Sequence, residues 1–174
     1  MDEKPPTSVA AIAAKYGLIQ GVLAFVVFLA GTRASINQNL GFALVSAVIF
    51  IVLVVLAHRE LKRTHQGMMT YPQGLGSGTL LAVVGALVSG VLTFLYVKYI
   101  NPGYVAVLMH TQQVALEERG ITGAQAQRAL AMAGRMMTPV GIFVSRLITG
   151  VIVGFIVALI VSIFTQKGDP RNEG

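Results

Sequence analysis

Residues 147–164 read LITGVIVGFIVALIVSIF, 18 positions with no charge and no proline. As an α-helix this run is roughly 27 Å long, close to the hydrocarbon thickness of a bilayer. In hydrocarbon no water satisfies the backbone, so a lone segment crosses only with its hydrogen bonds made internally, as a helix. Just upstream, Thr138-Pro139 supplies a capping hydroxyl and a first-turn proline, the signature of a helix start. Three further runs are predominantly apolar: Tyr16 to Ala30, with Ala10–Ala14 extending the helix upstream of Lys15; Leu40 to Ala57, without a charge; and Gly74 to Ile100, with Lys98 near its end.

The predicted fold is therefore all-α: an integral membrane bundle of four transmembrane helices over about 14–31, 40–58, 74–100 and 139–165, with a helical extracytoplasmic segment over 101–138. Together these form one domain, 14–165, between polar tails at 1–13 and 166–174. A cleaved secretory leader is the weaker reading of the first run. Asp2 and Glu3 spoil a positive n-region, and no clean small-x-small site ends at Ala30 or Ala34.

Composition agrees. Of 174 residues, 55% are hydrophobic and 11% charged, against roughly a quarter charged in soluble domains. The mean hydropathy is +0.73. The net charge of +6 sits in clusters at the ends of apolar runs, the distribution left by the positive-inside rule and not a nucleic-acid recognition motif. Cysteine is absent from the sequence, which excludes disulfides, thiolate metal sites and cysteine nucleophiles.

Those clusters also orient the chain. Arg59, Lys62 and Arg63 crowd the short link after the second run, within the polar stretch His58–Gln66. Short loops weigh most in setting topology. Both termini, with Lys4, Lys15, Lys167 and Arg171, are expected in the cytoplasm, and the protein in a bacterial inner (plasma) membrane, multi-pass. The polar stretch reads as a solvated loop, and Gly67 to Gln73 as the turn back, with Tyr71-Pro72 as punctuation.

At the end of the third run, Tyr96, Lys98 and Tyr99 form an aromatic and snorkelling-lysine edge. Asn101-Pro102 predicts an N-cap and first turn of a new helix. Two short helices are expected before residue 138: one ending near Arg119-Gly120, where glycine suits a left-handed cap, and one starting at Thr122 with Gln125 completing a capping box. In the second, Ala126, Ala129, Leu130, Ala133, Met136 and Met137 recur at helical spacing, with Arg128 and Arg135 on another face. Such a helix suits a membrane surface or a neighbouring helix.

Two runs carry stripes of small residues: Gly74, Gly78, Ala82, Ala86 and Gly90 in the third; Gly150, Gly154, Ala158 and Ser162 in the fourth. Four-residue spacing keeps each set on one face, and small faces let backbones approach closely in lipid. They are read as helix-packing faces toward another helix of the chain or another copy. Gly85, Ser89 and Thr93 make a parallel stripe.

Arg146 is the polar residue with the strongest claim to ligand binding. It shares a stripe with Gly150 and Gly154 and directly precedes the uncharged run. Two uses compete: snorkelling to the headgroups, or meeting an anionic ligand or partner. No Asp or Glu lies inside a predicted span, which argues against an ion-coupled carrier. His58 and His65 are two ligands seven residues apart, too few for a metal site. Gly74-Leu-Gly-Ser-Gly-Thr79 lacks the lysine and preceding strand of a phosphate loop. Glu117 and Glu118 are adjacent and diverge on a helix. No catalytic residue, metal ligand or cofactor is assigned.

Four spans, a polar turn before a glycine-starting third helix, Tyr96-Val-Lys-Tyr-Ile-Asn-Pro102 at its end and a helical segment before the fourth span form one pattern. Over about residues 14 to 165 this resembles the bacterial domain-of-unknown-function family 4199, common in Bacteroidetes. The resemblance implies an inner-membrane protein of unassigned activity and carries no site residues with it. The expected function is non-enzymatic, through association with itself or a membrane-protein partner, with the lipid bilayer as its surroundings. The alternative is a small transporter or channel subunit using Arg146 and the polar face of the third helix. A lipid-processing membrane enzyme comes third.

Overall fold

A computed structural model describes residues 8–34, 40–65 and 67–166. Its helices are α1 (Val9–Arg33), α2 (Leu40–Thr64), α3 (Tyr71–Leu95), α4 (Tyr104–Glu118), α5 (Gly123–Met136) and α6 (Pro139–Thr165), with a π-helical turn at Tyr96–Ile100 after α3. The link Asn37-Gln38-Asn39, with Gln66, Lys4, Lys167 and Arg171, lies outside the described residues. Among the described residues, four segments are long and apolar enough to cross a membrane: Val9–Arg33, Ala43–Thr64, Tyr71–Ile100 and Pro139–Thr165. The protein is a multi-pass, all-helical membrane protein.

Two compact units divide the chain, one of residues 1–89 with 148–174 and one of residues 90–147. In the first, side-chain size sorts the helix faces. Gly154, Ala158 and Ser162 of α6 are buried, while Ile148, Ile152, Ile156 and Ile160 are exposed. The two rows are offset by two residues, about 200° around the helix. Bulk therefore faces lipid and smallness faces the neighbouring helix. Lipid is as apolar as leucine, so burying large side chains gains little there, whereas close backbone approach gains dispersion contacts. The buried apolar cluster includes Ile12, Phe50, Val54, Leu61, Met69, Leu81 and Val161. These residues sit toward the α1 start, the α2 end, the α3 start and the α6 end.

That end of the unit holds a correction to the sequence reading. The stretch from His58 onward is not a solvated loop: α2 runs on to Thr64, and His58 is 1% exposed. Its Nε2 lies 2.9 Å from the Gly74 carbonyl and its Nδ1 2.7 Å from Thr165 Oγ1. A carbonyl can only accept, so Nε2 carries a proton, while Thr165 Oγ1 also donates to the Val161 carbonyl. One imidazole thus ties α2 to α3 and α6. Nearby, Glu60 accepts from Lys15 Nζ (2.8 and 2.9 Å) and Tyr16 OH (2.8 Å), joining α1 to α2. Gly67, at φ +86°, takes the left-handed conformation that turns the chain toward α3. Tyr71-Pro72 opens α3 instead of merely punctuating the turn, and Gln73 Oε1 accepts from the Thr70 N–H.

In the second unit the caps follow the sequence unevenly. Thr138 Oγ1 accepts from Gly141 N–H (3.0 Å) with Pro139 in the first turn, as expected. Gly120 ends the α4 turn at φ +71°, with Ile121 N–H donating to the Leu116 carbonyl. At Thr122 the helix does start, but the capping box does not form: the side chain makes no cap hydrogen bond. Asn101-Pro102 is displaced as well. α4 begins at Tyr104, after a turn in which Asn101 O accepts from Tyr104 N–H. The π-helical turn was not foreseen. Its extra residue per hydrogen-bonded ring closes with Asn101 N–H on the Tyr96 carbonyl.

Candidate functional site

The structure brings the two small-residue stripes together. A Cβ built on Gly78 would stand 2.8 Å from Ala158 Cβ, one on Gly150 3.0 Å from Ala86 Cβ, and one on Gly74 3.1 Å from Ser162 Oγ. A Cβ on Gly154 would collide with Ala82 Cβ and stand 3.3 Å from the Phe50 ring. Each step of four up α3 is matched by four down α6, so the helices run antiparallel along an unbroken small-residue seam. On another face of α3, Gly85 makes room for the Gln20 side chain of α1. Gly17 and Gly21 of α1 approach the Leu81 and Gly85 carbonyls, each at 2.9 Å from a would-be Cβ. These stripes are thus occupied within the chain. Gly90 meets no small partner: the Phe143 ring lies 2.9 Å from its would-be Cβ.

Arg146 lies in the second unit and lines an open cleft of about 450 Å³. α4 contributes Tyr104, Leu108 and Gln112, which share one face at four-residue spacing. From α6 come Ile142, Ser145 and Arg146, again on one face, and from the end of α5 Ala133, Met136 and the capping Met137. Tyr104 is buried and lines the cleft with Arg146. A guanidinium offers five donors in a planar fork, suited to carboxylate or phosphate oxygens. No lining residue is acidic. The lining can hold an anion and an apolar group side by side.

Sequence reasoning singled out Arg146 but not Tyr104, Gln112 or Ser145. Residues 104, 108 and 112 carry the spacing of a shared face, which was the signal available. His110, Glu117 and Glu118 are exposed, and Glu117 accepts from Gln113 one turn earlier. Among the described residues, no three His, Cys, Asp or Glu side chains gather as metal ligands.

Four crossing helices, an internal small-residue seam and a helical pair between the third and fourth spans define a class: polytopic helical membrane proteins with a cleft-bearing connecting segment. Within that class, the family model described as "Protein of unknown function (DUF4199)" matches residues 15–167, and the chain belongs to this family. Comparisons with curated proteins and with solved structures give no match.

Proposed function

We propose that this is a non-enzymatic binding protein of a bacterial inner membrane, acting by association through its α4–α5 segment. The single observation that carries the reading is the open cleft lined by Arg146. Association through the small-residue stripes loses its support, because those faces are taken up between α3, α6 and α1. What remains for another copy or a membrane-protein partner is the α4–α5 segment, where Val107, Met132 and Met136 are exposed. Arg59, Lys62 and Arg63 favour a cytoplasmic α2–α3 turn with both termini on that side, which puts α4 and α5 outside.

The test is binding by the full-length protein in detergent, read by native mass spectrometry. An anionic species retained by the wild type should be lost from Arg146→Gln by about tenfold in affinity, the worth of one charge-assisted contact. Identical retention by both proteins, at matched thermal stability, rejects the reading.

A second reading, a small transporter or channel subunit, draws on one observation. Gln20 Oε1, Thr79 Oγ1 and Ser162 Oγ are buried without a hydrogen-bond partner among the described residues. Flux of a small anion into proteoliposomes above the empty-vesicle rate would favour it.

A further inference from the structure

We infer that the cleft holds the anionic headgroup of a membrane lipid, with Arg146 and Tyr104 as headgroup contacts and Met136, Met137 and Ile142 against the first methylenes of its chains. The inference rests on the binding reading above and names the ligand class.

Three observations converge. The first is depth. Arg146 lies seven residues into the apolar helix Pro139–Thr165 and directly before its 18 uncharged residues, so a snorkelling side chain carries the guanidinium to the hydrocarbon boundary. Phosphates of bilayer lipids lie at that level, whereas an inorganic anion has no reason to be met at an apolar edge. Lys98 marks the same kind of boundary at the end of the third span, its Nζ 5.5 Å from the Phe94 ring centre and 5.1 Å from that of Tyr99.

The second observation is the mixed lining. A hydrated soluble anion gains from donors alone. Here a guanidinium, a phenol and a hydroxyl share the cleft with methionine, leucine and isoleucine side chains, the pairing an amphiphile uses in full. Methionine is unbranched and polarisable, and adapts to a flexible chain.

The third is size and openness. About 450 Å³ lies within the roughly 300–1,000 Å³ of small-molecule sites. That is room for a phosphoglycerol head and the ester region, but not for a two-chain lipid entire. The cleft is open rather than enclosed, so the remaining chain can stay in the bilayer.

The experiment uses the full-length protein in micelles, offered phosphatidylglycerol, phosphatidylcholine, glycerol phosphate or inorganic phosphate, with retention read by native mass spectrometry and calorimetry. Phosphatidylglycerol should be retained about tenfold better than phosphatidylcholine. Arg146→Gln should erase that preference and Arg146→Lys keep part of it. Met137→Trp, which fills the apolar side and leaves the charge, should weaken phosphatidylglycerol retention about threefold or more, a methylene-scale loss of chain burial. If Arg146→Gln fails to fold, the Lys and Met137 variants decide.

Glycerol phosphate or inorganic phosphate binding as tightly as phosphatidylglycerol, and through Arg146, would overturn the lipid assignment and leave the binding reading standing. Equal retention of both phospholipids, or no effect of Met137→Trp, also overturns it. If no probe depends on Arg146 at all, both inferences fall together.

Discussion

The α3–α6 seam and the α4–α5 cleft use opposite materials. Along the seam, glycine, alanine and serine face one another at four-residue intervals, and the helices close until a single added carbon has nowhere to go. Around the cleft, tyrosine, methionine, leucine and arginine line an open space. At the one α4–α5 glycine close to a neighbour, Gly134, a Cβ would meet only Met109 at an ordinary 3.6 Å. Small residues leave no room for a ligand, while large flexible ones do. Stability should therefore concentrate on the seam, and binding around the cleft.

The largest effect should come from Gly154→Leu, which drives a side chain into Ala82 and the Phe50 ring. Overpacking a close contact of this kind costs about 3 kcal/mol, read as loss of the thermal transition in detergent. If the variant melts like the wild type, the seam is not the closed element. Next is His58→Ala, which strips a buried partner from the Gly74 carbonyl and the Thr165 hydroxyl. The Gly74 carbonyl keeps the Ser77 hydroxyl and Thr165 Oγ1 keeps the Val161 carbonyl, so the cost is that of the two lost imidazole bonds, about 1–2 kcal/mol. Sharpening the comparison, Gly76→Ala sits on the same helix as the seam with nothing within 4 Å of its would-be Cβ. It should stabilise by about 0.5–1 kcal/mol through helix propensity alone. Smallest is Met136→Ala at the cleft rim. Met136 is 63% exposed, so its stability change should stay within about 0.5 kcal/mol. A large loss there would erase the contrast between the two regions.

Much of the fold was legible because membrane crossing demands length and apolarity in one continuous run, and residues 147–164 meet both demands alone. The seam was half legible. Spacing of four places Gly74, Gly78, Ala82 and Ala86 on one face, but spacing says nothing about which helix covers it. His58 was misread for a different reason: the charged residues beside it masked a periodic signal. Phe50, Val54, His58 and Leu61 continue one buried face of α2, and the imidazole occupies a place an apolar residue would otherwise fill. At the cleft, Arg146 stood out as a charge next to hydrocarbon. Its neighbours did not, since Tyr104 and Gln112 are more than thirty residues away in sequence and only tertiary folding joins them. The failed capping box at Thr122 shows how a local motif yields when the chain enters the helix at Gly123 with φ +63°.

The uncharged stretch of α6 also works as a ruler. It is closed at one end by Arg146 and ends at Thr165, near the chain's polar tail. With roughly 27 Å between these marks, the uncharged stretch alone is a little short of an average ~30 Å bilayer core, and Val140, Ile142, Phe143 and Val144 before Arg146 make up the difference. A helix of fixed length meets thicker surroundings by pinching them or by dragging its terminal polar groups inward, each at a cost that grows with every ångström of mismatch. Arg146 is the group that thicker surroundings would draw inward.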